Sequence, residues 1–195
     1  AEAQLQAVCD HIRTQYPNVV LILDAKRGDI GDTAKLYARE AFERYNAHAV
    51  TVNPYLGTDS LEPFFAHSGR GVIVLCRTSN AGSGTFQTQL IDGAPLYEHV
   101  ARRAASEWAQ LGEVGLVVGA TYPEELAKVR SLVGDMPLLV PGVGAQGGDA
   151  ATVIRVGRAA NGYGLIINSS RAILYASSGE DFAEAAAGVA ATTLS

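Results

Sequence analysis

Three charged side chains follow a short apolar run near the start of the chain, and their spacing could support proton chemistry. Asp24 and Lys26 are two residues apart, so on a strand their side chains would point to the same side. Asp29 follows after Gly28, where the chain can turn. A lysine between carboxylates stays protonated, because nearby negative charge favours its charged form. Such an ammonium could donate a proton to a strongly basic carbon, while a carboxylate held in place would repel an anionic substrate.

The same stretch also fits a structural role. In that interpretation Asp29 or Asp32 caps the next helix, and Lys26 is solvated at the surface. A position at the mouth of a barrel would favour catalysis instead, because barrel active sites are built at the carboxyl ends of the strands.

A glycine-rich segment in the last third of the chain is typical of an anion site. It reads Pro141-Gly142-Val143-Gly144-Ala145-Gln146-Gly147-Gly148-Asp149 and leads into a helical pattern. Glycines expose backbone N–H groups, and a helix N-terminus favours negative charge. Ser170 and Arg171 follow the last apolar run, and an arginine fork suits phosphate, although a surface salt bridge is the alternative for Arg171 alone. The glycine spacing also matches a dinucleotide fingerprint, but the next strand ends without the acidic residue that a ribose contact needs.

A third polar segment, Arg77–Gln87, is long and rich in small residues. Such a loop can close over a ligand and exclude water. A merely flexible surface loop is the alternative interpretation.

Six short runs of apolar and β-branched residues must position these segments. Each run is nearly continuous in apolar character, which is typical of parallel strands buried on both faces. The runs are Val19–Leu23, Ala49–Val52, Gly71–Leu75, Gly115–Val118, Pro137–Val140 and Gly164–Ile167. Helical patterns lie at Asp32–Tyr45, Ser60–His67, Leu96–Leu111, Pro123–Leu132, Asp149–Val156 and Asp181–Ala191, with Thr121 as the expected cap of the fourth.

The alternation of strands and helices predicts an α/β fold with a parallel sheet and right-handed crossovers. A doubly wound sheet and a closed barrel both satisfy this pattern. A (β/α)8 TIM barrel is favoured, because the polar segments repeatedly follow strand ends, and those positions share one face of a barrel. The chain has no initiator methionine, and six of the eight units are present. We therefore expect residues 1–195 to be a single barrel domain that lacks its first two strands.

Composition argues against several classes of protein. The formal net charge is −5 and no block rich in lysine and arginine occurs, so nucleic acid is not an expected partner. No apolar run reaches the roughly 18 residues of a membrane span, and the N-terminal stretch lacks the pattern of a signal peptide. Cys9 and Cys76 have no metal-ligand spacing, so we expect reduced packing residues in a cytoplasmic protein.

These segments resemble the orotidine 5′-phosphate decarboxylase family. The family signature is similar to Asp24-x-Lys26-x-x-Asp29-Ile30-x-x-Thr33. Sugar-phosphate enzymes share the two aspartates and the lysine, whereas the isoleucine and the threonine make the match more specific for this family. Pro141–Asp149 resembles the family's phosphate loop, and Asn53–Pro63 resembles its second bacterial group. The similarity covers essentially the whole chain.

The resemblance implies an activity and a role for each residue. It implies a carboxy-lyase that converts orotidine 5′-phosphate to uridine 5′-phosphate in pyrimidine biosynthesis, with no metal and no organic cofactor. Asp24, Lys26 and Asp29 would be the catalytic residues, and Lys26 would protonate C6 of the pyrimidine. The substrate-binding residues would be Thr33, Ser79, Gln146, Gly147, Ser170 (glycine in many members) and Arg171. The family is homodimeric, so Asp29 and Thr33 would reach the partner subunit's site.

One departure from the family bears on activity. The family's second network lysine and its ribose-binding aspartate precede the region that this chain matches, and no residue here replaces them. We therefore expect residues 1–195 alone to be inactive and the intact protein to be active. Two alternatives stay open: a magnesium-dependent sugar-phosphate decarboxylase or aldolase of the same barrel group, and a non-catalytic protein that binds a nucleotide or its phosphate.

Overall fold

The chain forms a curled parallel sheet with helices between its strands. The computed structural model describes residues 1–143 and 149–194. The strands are β1 Ile22–Arg27, β2 Ala49–Val52, β3 Gly71–Arg77, β4 Leu90–Ile91, β5 Ala94–Pro95, β6 Val114–Val118, β7 Leu138–Pro141 and β8 Leu165–Asn168. Six of them form one parallel sheet in the order β1-β2-β3-β6-β7-β8, and β4 pairs with β5 in a separate antiparallel hairpin. This is the partial (β/α) barrel that the sequence predicts.

The helices of the described residues are α1 Glu2–Gln15, α2 Gly31–Arg39, α3 Glu62–Phe65, α4 Gly84–Gln87, α5 Leu96–Ser106, α6 Pro123–Val133, α7 Ala150–Gly157, α8 Arg171–Leu174 and α9 Phe182–Leu194. Of these, α2, α3, α5, α6 and α7 pack against one face of the sheet. A π-helical turn over Glu40–Arg44 extends α2, and 3-10 turns occupy Pro54–Leu56, Thr58–Ser60, Ala81–Ser83 and Trp108–Gln110. Across the described ranges, no helix is long and apolar enough to cross a membrane.

All six predicted strands are found, and the first of them is displaced along the chain. The run Val19–Leu23 is apolar, but β1 begins at Ile22 and continues to Arg27, while Val19 and Val20 are exposed. The apolar pattern misplaced this strand because its carboxyl half carries charged side chains.

The predicted cap Thr121 is also wrong, since Tyr122 occupies the N-cap position of α6 without a side-chain hydrogen bond.

Two apolar layers hold the sheet. The larger layer lies between sheet and helices and contains fully buried strand residues such as Val50, Val72 and Leu116 together with helix residues. Strand residues alone form the second layer, here called the inner layer, on the opposite face of the sheet: Ala49, Ile73, Val117 and Leu139. Because side chains alternate along a strand, every second position points into this inner layer.

Both cysteines lie inside the protein. Cys9 on α1 and Cys76 on β3 are free and buried, as the packing interpretation predicts. Burial raises the pKa of both thiols above the usual cysteine value. A thiol that stays protonated is a poor nucleophile, which agrees with a packing role.

Arg130 ties α6 to the end of the sheet that lies opposite the strand carboxyl ends. Its guanidinium donates hydrogen bonds to the backbone oxygens of Gly157 at 2.7 Å, Met136 at 2.7 Å and Gly164 at 2.8 Å. The side chain is buried, and this burial lowers its pKa, with the charge of Asp135 acting in the opposite direction. One side chain therefore satisfies a carbonyl group at the end of α7 and carbonyl groups in the α6–β7 and α7–β8 connections.

Replacing this arginine tests its structural role. We expect Arg130→Met to lower the free energy of unfolding by about 3 kcal/mol, because buried carbonyl groups lose their donors. Arg39→Met is the matched control, since Arg39 is 62% exposed and, within residues 1–143 and 149–194, pairs only with Glu43 one helical turn away. Urea unfolding measures both variants, and equal losses from the two would contradict the role assigned to Arg130.

Candidate active site

Asp24 and Lys26 form an ion pair near the carboxyl end of β1. The Lys26 Nζ lies 2.7 Å from the Asp24 Oδ1, as the spacing of two residues predicts. The two side chains are 49% and 42% exposed, so the pair faces an opening and not the core. An ion pair this exposed adds at most about 1 kcal/mol to stability. Its position at a strand end is therefore better explained by chemistry than by folding.

The backbone of β1 bulges where it carries this pair. Leu23 pairs with Val50 and Arg27 pairs with Val52, so three residues of β1 lie opposite the single residue Thr51. Lys26 has a φ of +48°, in the left-handed region that residues other than glycine seldom adopt. Bulges and strained residues of this kind gather at functional sites, because they redirect side chains.

Thr51 joins the two charged residues and was missed by the sequence analysis. Its hydroxyl donates to the Asp24 Oδ1 at 2.8 Å and accepts a hydrogen bond from the backbone N–H of Lys26 at 2.9 Å. Thr51 is fully buried in β2 and points into the inner layer. The available signal was a lone hydroxyl residue within an otherwise apolar strand.

Asp29 and Thr33 lie beyond the bulge, at the entry to α2. The Asp29 carboxylate accepts the backbone N–H of Ile30 at 2.8 Å, and no ion pair joins Asp29 to Lys26 among the described residues. Thr33 is exposed on the first turn of α2. Within one chain, Lys26 therefore has one carboxylate partner, Asp24, instead of the predicted two.

The segment Arg77–Gln87 is folded instead of being a structureless loop. It contains one 3-10 turn and α4, and Arg77 at its base is buried. The Arg77 guanidinium contacts Ser83 within the loop and Glu125 on α6, and it stacks 3.9 Å from the ring centre of Tyr122. The base of the loop is thus fixed to the neighbouring β/α unit.

A second set of hydrogen bonds closes the same loop. The Thr78 N–H donates to the Gln87 Oε1 at 2.9 Å, and the Gln87 Nε2 donates to the Thr78 Oγ1 at 2.9 Å. Both ends of the loop are therefore held together beside Ser79, the residue predicted to contact the ligand.

Ser79 also packs against Gly119, the first residue after β6. A Cβ atom on Gly119 would lie 2.9 Å from the backbone N and Cα of Ser79. The Gly119 N–H donates to the backbone oxygen of Arg77 at 2.7 Å. Only glycine allows β6 to approach the loop this closely.

The predicted phosphate-binding residues follow the last two strands of the sheet. Ser170 and Arg171 lie two and three residues after the end of β8, and both side chains are exposed. Gln146 and Gly147 lie outside the described residues. Asp149 caps α7 by accepting the Thr152 N–H at 2.8 Å, and its hydrogen bonds with Thr152 lower the pKa of this carboxyl. The first turn of α7 thus already has a carboxylate of its own.

Other residues form a wide groove. It has a volume of about 900 Å³ and is lined by residues of the segment after β2, of α4 and of α5, such as Tyr55, Phe86 and His99. Asp24, Lys26 and Arg171 do not line it. The chemistry at the strand ends, and not the volume of this groove, identifies the candidate site.

Known proteins that are similar in sequence to this chain share one family description. A sequence profile described as the orotidine 5′-phosphate decarboxylase / HUMPS family matches residues 1–186. The chain is 61% identical over 193 residues to orotidine 5′-phosphate decarboxylase of Janthinobacterium sp. (strain Marseille), and 62% identical over 193 residues to that of Ralstonia pickettii (strain 12J). Each match covers 99% of this chain and 71% of the relative.

Comparison with solved structures gives the same grouping. Leishmania donovani OMP decarboxylase superposes with a TM-score of 0.82 at 40% identity, covering 98% of this chain and 75% of the other. Leishmania donovani UMP synthase superposes with a TM-score of 0.86 at 44% identity, covering 97% of this chain and 41% of that longer one.

The contact between Gly119 and Ser79 can be tested directly. We expect Gly119→Ala to displace Ser79 and to lower the free energy of unfolding by about 1–3 kcal/mol, because the added methyl group has no space. Gly188→Ala is the control, because Gly188 lies inside α9 and, apart from the helix's own nearby backbone, no described atom lies within 4 Å of the added carbon. That change should raise stability by up to about 1 kcal/mol. An unfolding curve for Gly119→Ala that matches the unsubstituted protein would show that the close approach is no constraint.

Proposed function

The chain belongs to the orotidine 5′-phosphate decarboxylase / HUMPS family, and from this premise we propose that it carries the site that converts orotidine 5′-phosphate to uridine 5′-phosphate and carbon dioxide. The observation that carries the proposal is the Lys26–Asp24 ion pair, with 2.7 Å between Nζ and Oδ1, at the carboxyl end of a parallel strand. In barrel enzymes that end of the strands holds the catalytic groups.

The reaction requires stabilisation of one charged intermediate, a carbanion at C6. When the bond from C6 to the carboxylate breaks, carbon dioxide leaves and its bonding electron pair stays on C6. Asp24 stands beside the substrate carboxylate, and the repulsion between them is relieved as carbon dioxide departs. The Lys26 ammonium stabilises the electron pair and then gives its proton to C6, which leaves a neutral amine that water reprotonates.

Binding away from C6 supplies the rest of the stabilisation. Arg171, with Ser170, Gln146 and Gly147, holds the phosphate, and Ser79 holds the edge of the pyrimidine. The fixed base of the Arg77–Gln87 loop supports this assignment, because a loop with both ends held can present Ser79 reproducibly. Remote contacts of this kind lower the barrier when they strengthen as the site closes.

A homodimer would complete the charged network. Asp29 and Thr33 are proposed to reach the partner subunit's site, which accounts for the lack of an ion pair from Asp29 to Lys26 in its own chain.

We also propose the cytoplasm as the compartment, since both cysteines are free and buried.

Lysine replacement tests the chemistry. For the protein produced from its complete gene, Lys26→Ala should lower kcat/KM for orotidine 5′-phosphate at least about 10³-fold, because the proton donor and its charge are lost. Uridine 5′-phosphate should still bind. Lys35→Ala is the control, since Lys35 is 66% exposed and pairs with Asp32.

Two results would contradict the proposal. An unsubstituted protein that binds uridine 5′-phosphate but releases no carbon dioxide would be a binding protein. One that ignores orotidine 5′-phosphate but acts on sugar phosphates, and stops when a chelator is added, would belong to the sugar-phosphate branch.

Mixing inactive variants tests the shared site. Lys26→Ala and Asp29→Asn subunits, mixed in equal amounts, should recover about one quarter of the normal activity, because half of the dimers are mixed and each has one intact site. Lys26→Ala mixed with Asp24→Asn is the control. Both of those changes fall in the same subunit's half of the site, so no activity should return. Recovery in neither mixture would place Asp29 in its own subunit's site.

A further inference from the structure

We infer that Thr51 is a positioning residue for decarboxylation, because its hydroxyl holds the Asp24 carboxylate and the Lys26 backbone in place. The inference deepens the proposed function and rests on it. The proposed mechanism gives Thr51 no contact with the phosphate and no part in the proton transfer, so its effect passes through Asp24 and Lys26.

Both hydrogen bonds that the Asp24 carboxylate accepts involve the same oxygen atom. Its Oδ1 accepts from the Thr51 hydroxyl at 2.8 Å and from the Lys26 ammonium at 2.7 Å. Its Oδ2 accepts no hydrogen bond from any residue in the described ranges. One oxygen is thus anchored, and the other remains available to face the substrate carboxylate.

Repulsion between two carboxylates is useful only if neither can move away. Asp24 is 42% exposed and could rotate toward solvent when an anionic substrate arrives. Lys26 cannot restrain it throughout the reaction, because Lys26 gives up its proton and with it the charge that attracts Asp24. The Thr51 hydroxyl keeps its hydrogen bond at every stage, and a buried β-branched side chain is stiff about χ1.

The same hydroxyl also secures the bulge. It accepts the Lys26 N–H at 2.9 Å, at the residue whose φ is +48°. That N–H faces β2 at the point where three residues of β1 lie opposite one, so no regular strand partner is available for it. Thr51 therefore fixes the backbone from which the ammonium extends.

Removing only the hydroxyl separates positioning from packing. In the protein from its complete gene, Thr51→Val should lower kcat about 10- to 100-fold, as expected for losing a hydrogen bond to a charged group. The KM for orotidine 5′-phosphate should stay the same or fall, because relaxing Asp24 also relieves repulsion in the bound substrate. Inhibition by uridine 5′-phosphate, which has no carboxylate at C6, should not change.

Thr51→Ser is the matched control. It keeps the hydroxyl and loses one methyl group, so kcat should stay within about threefold of the unsubstituted value. Thr51→Ala provides a second variant without the hydroxyl if the valine variant does not fold, and its kcat should fall as for valine. Equal kcat values for the valine, serine and unsubstituted proteins would overturn the inference.

A second readout does not depend on turnover. Hydrogen exchange at the Lys26 amide should be faster in Thr51→Val than in Thr51→Ser or the unsubstituted protein, because the amide loses its acceptor. Equal exchange in all three would overturn the inference by itself. An unsubstituted protein that releases no carbon dioxide would instead refute the proposed function, while the exchange result would still decide whether Thr51 holds Lys26.

Discussion

Parallel pairing of six strands is the constraint on which the rest of the structure depends. Because all six run in one direction, each delivers its carboxyl end to the same edge of the sheet. The Asp24–Lys26 pair lies at the end of β1, the loop with Ser79 follows β3, and Arg171 follows β8. Strands of this kind are buried on both faces, so polar groups are tolerated mainly at their ends. Packing and chemistry are thereby separated along β1 and β3, which carry apolar residues toward their amino ends and charged residues toward their carboxyl ends.

The charged end of β1 is the least regular part of the sheet, and its neighbours offset the cost. A left-handed residue other than glycine costs on the order of 1–3 kcal/mol. At Lys26 that cost is met by two hydrogen bonds through Thr51, which is itself fixed in the fully buried strand β2. At the opposite end of the molecule Arg130 satisfies carbonyl groups in the α6–β7 and α7–β8 segments. Regular strands between these two polar clusters allow the irregular end to persist.

Local features of the fold and site were readable from the sequence, and long-range ones were not. Ala49–Val52 is a continuous apolar run with clear limits, so its strand was predicted with the observed bounds. The first strand was displaced because its own charged residues broke the pattern. Asp24 and Lys26 were paired correctly because a spacing of two is a local property of strands. The contact between Arg77 and Glu125 joins residues 48 positions apart, and no local pattern announces it. Thr51 was missed for a related reason, since its partners lie on another strand.

The order of the strands across the sheet is also their order along the chain, once the β4–β5 hairpin is set aside. During synthesis, each β/α unit can therefore dock on the unit that left the ribosome just before it, with only local contacts to find. The charged pair on β1 is then placed early in folding, and the arginine after β8 is placed late. A nucleotide that contacts both, as proposed above, can be held only when β8 has docked on β7, so its binding would favour the state in which all six strands are paired.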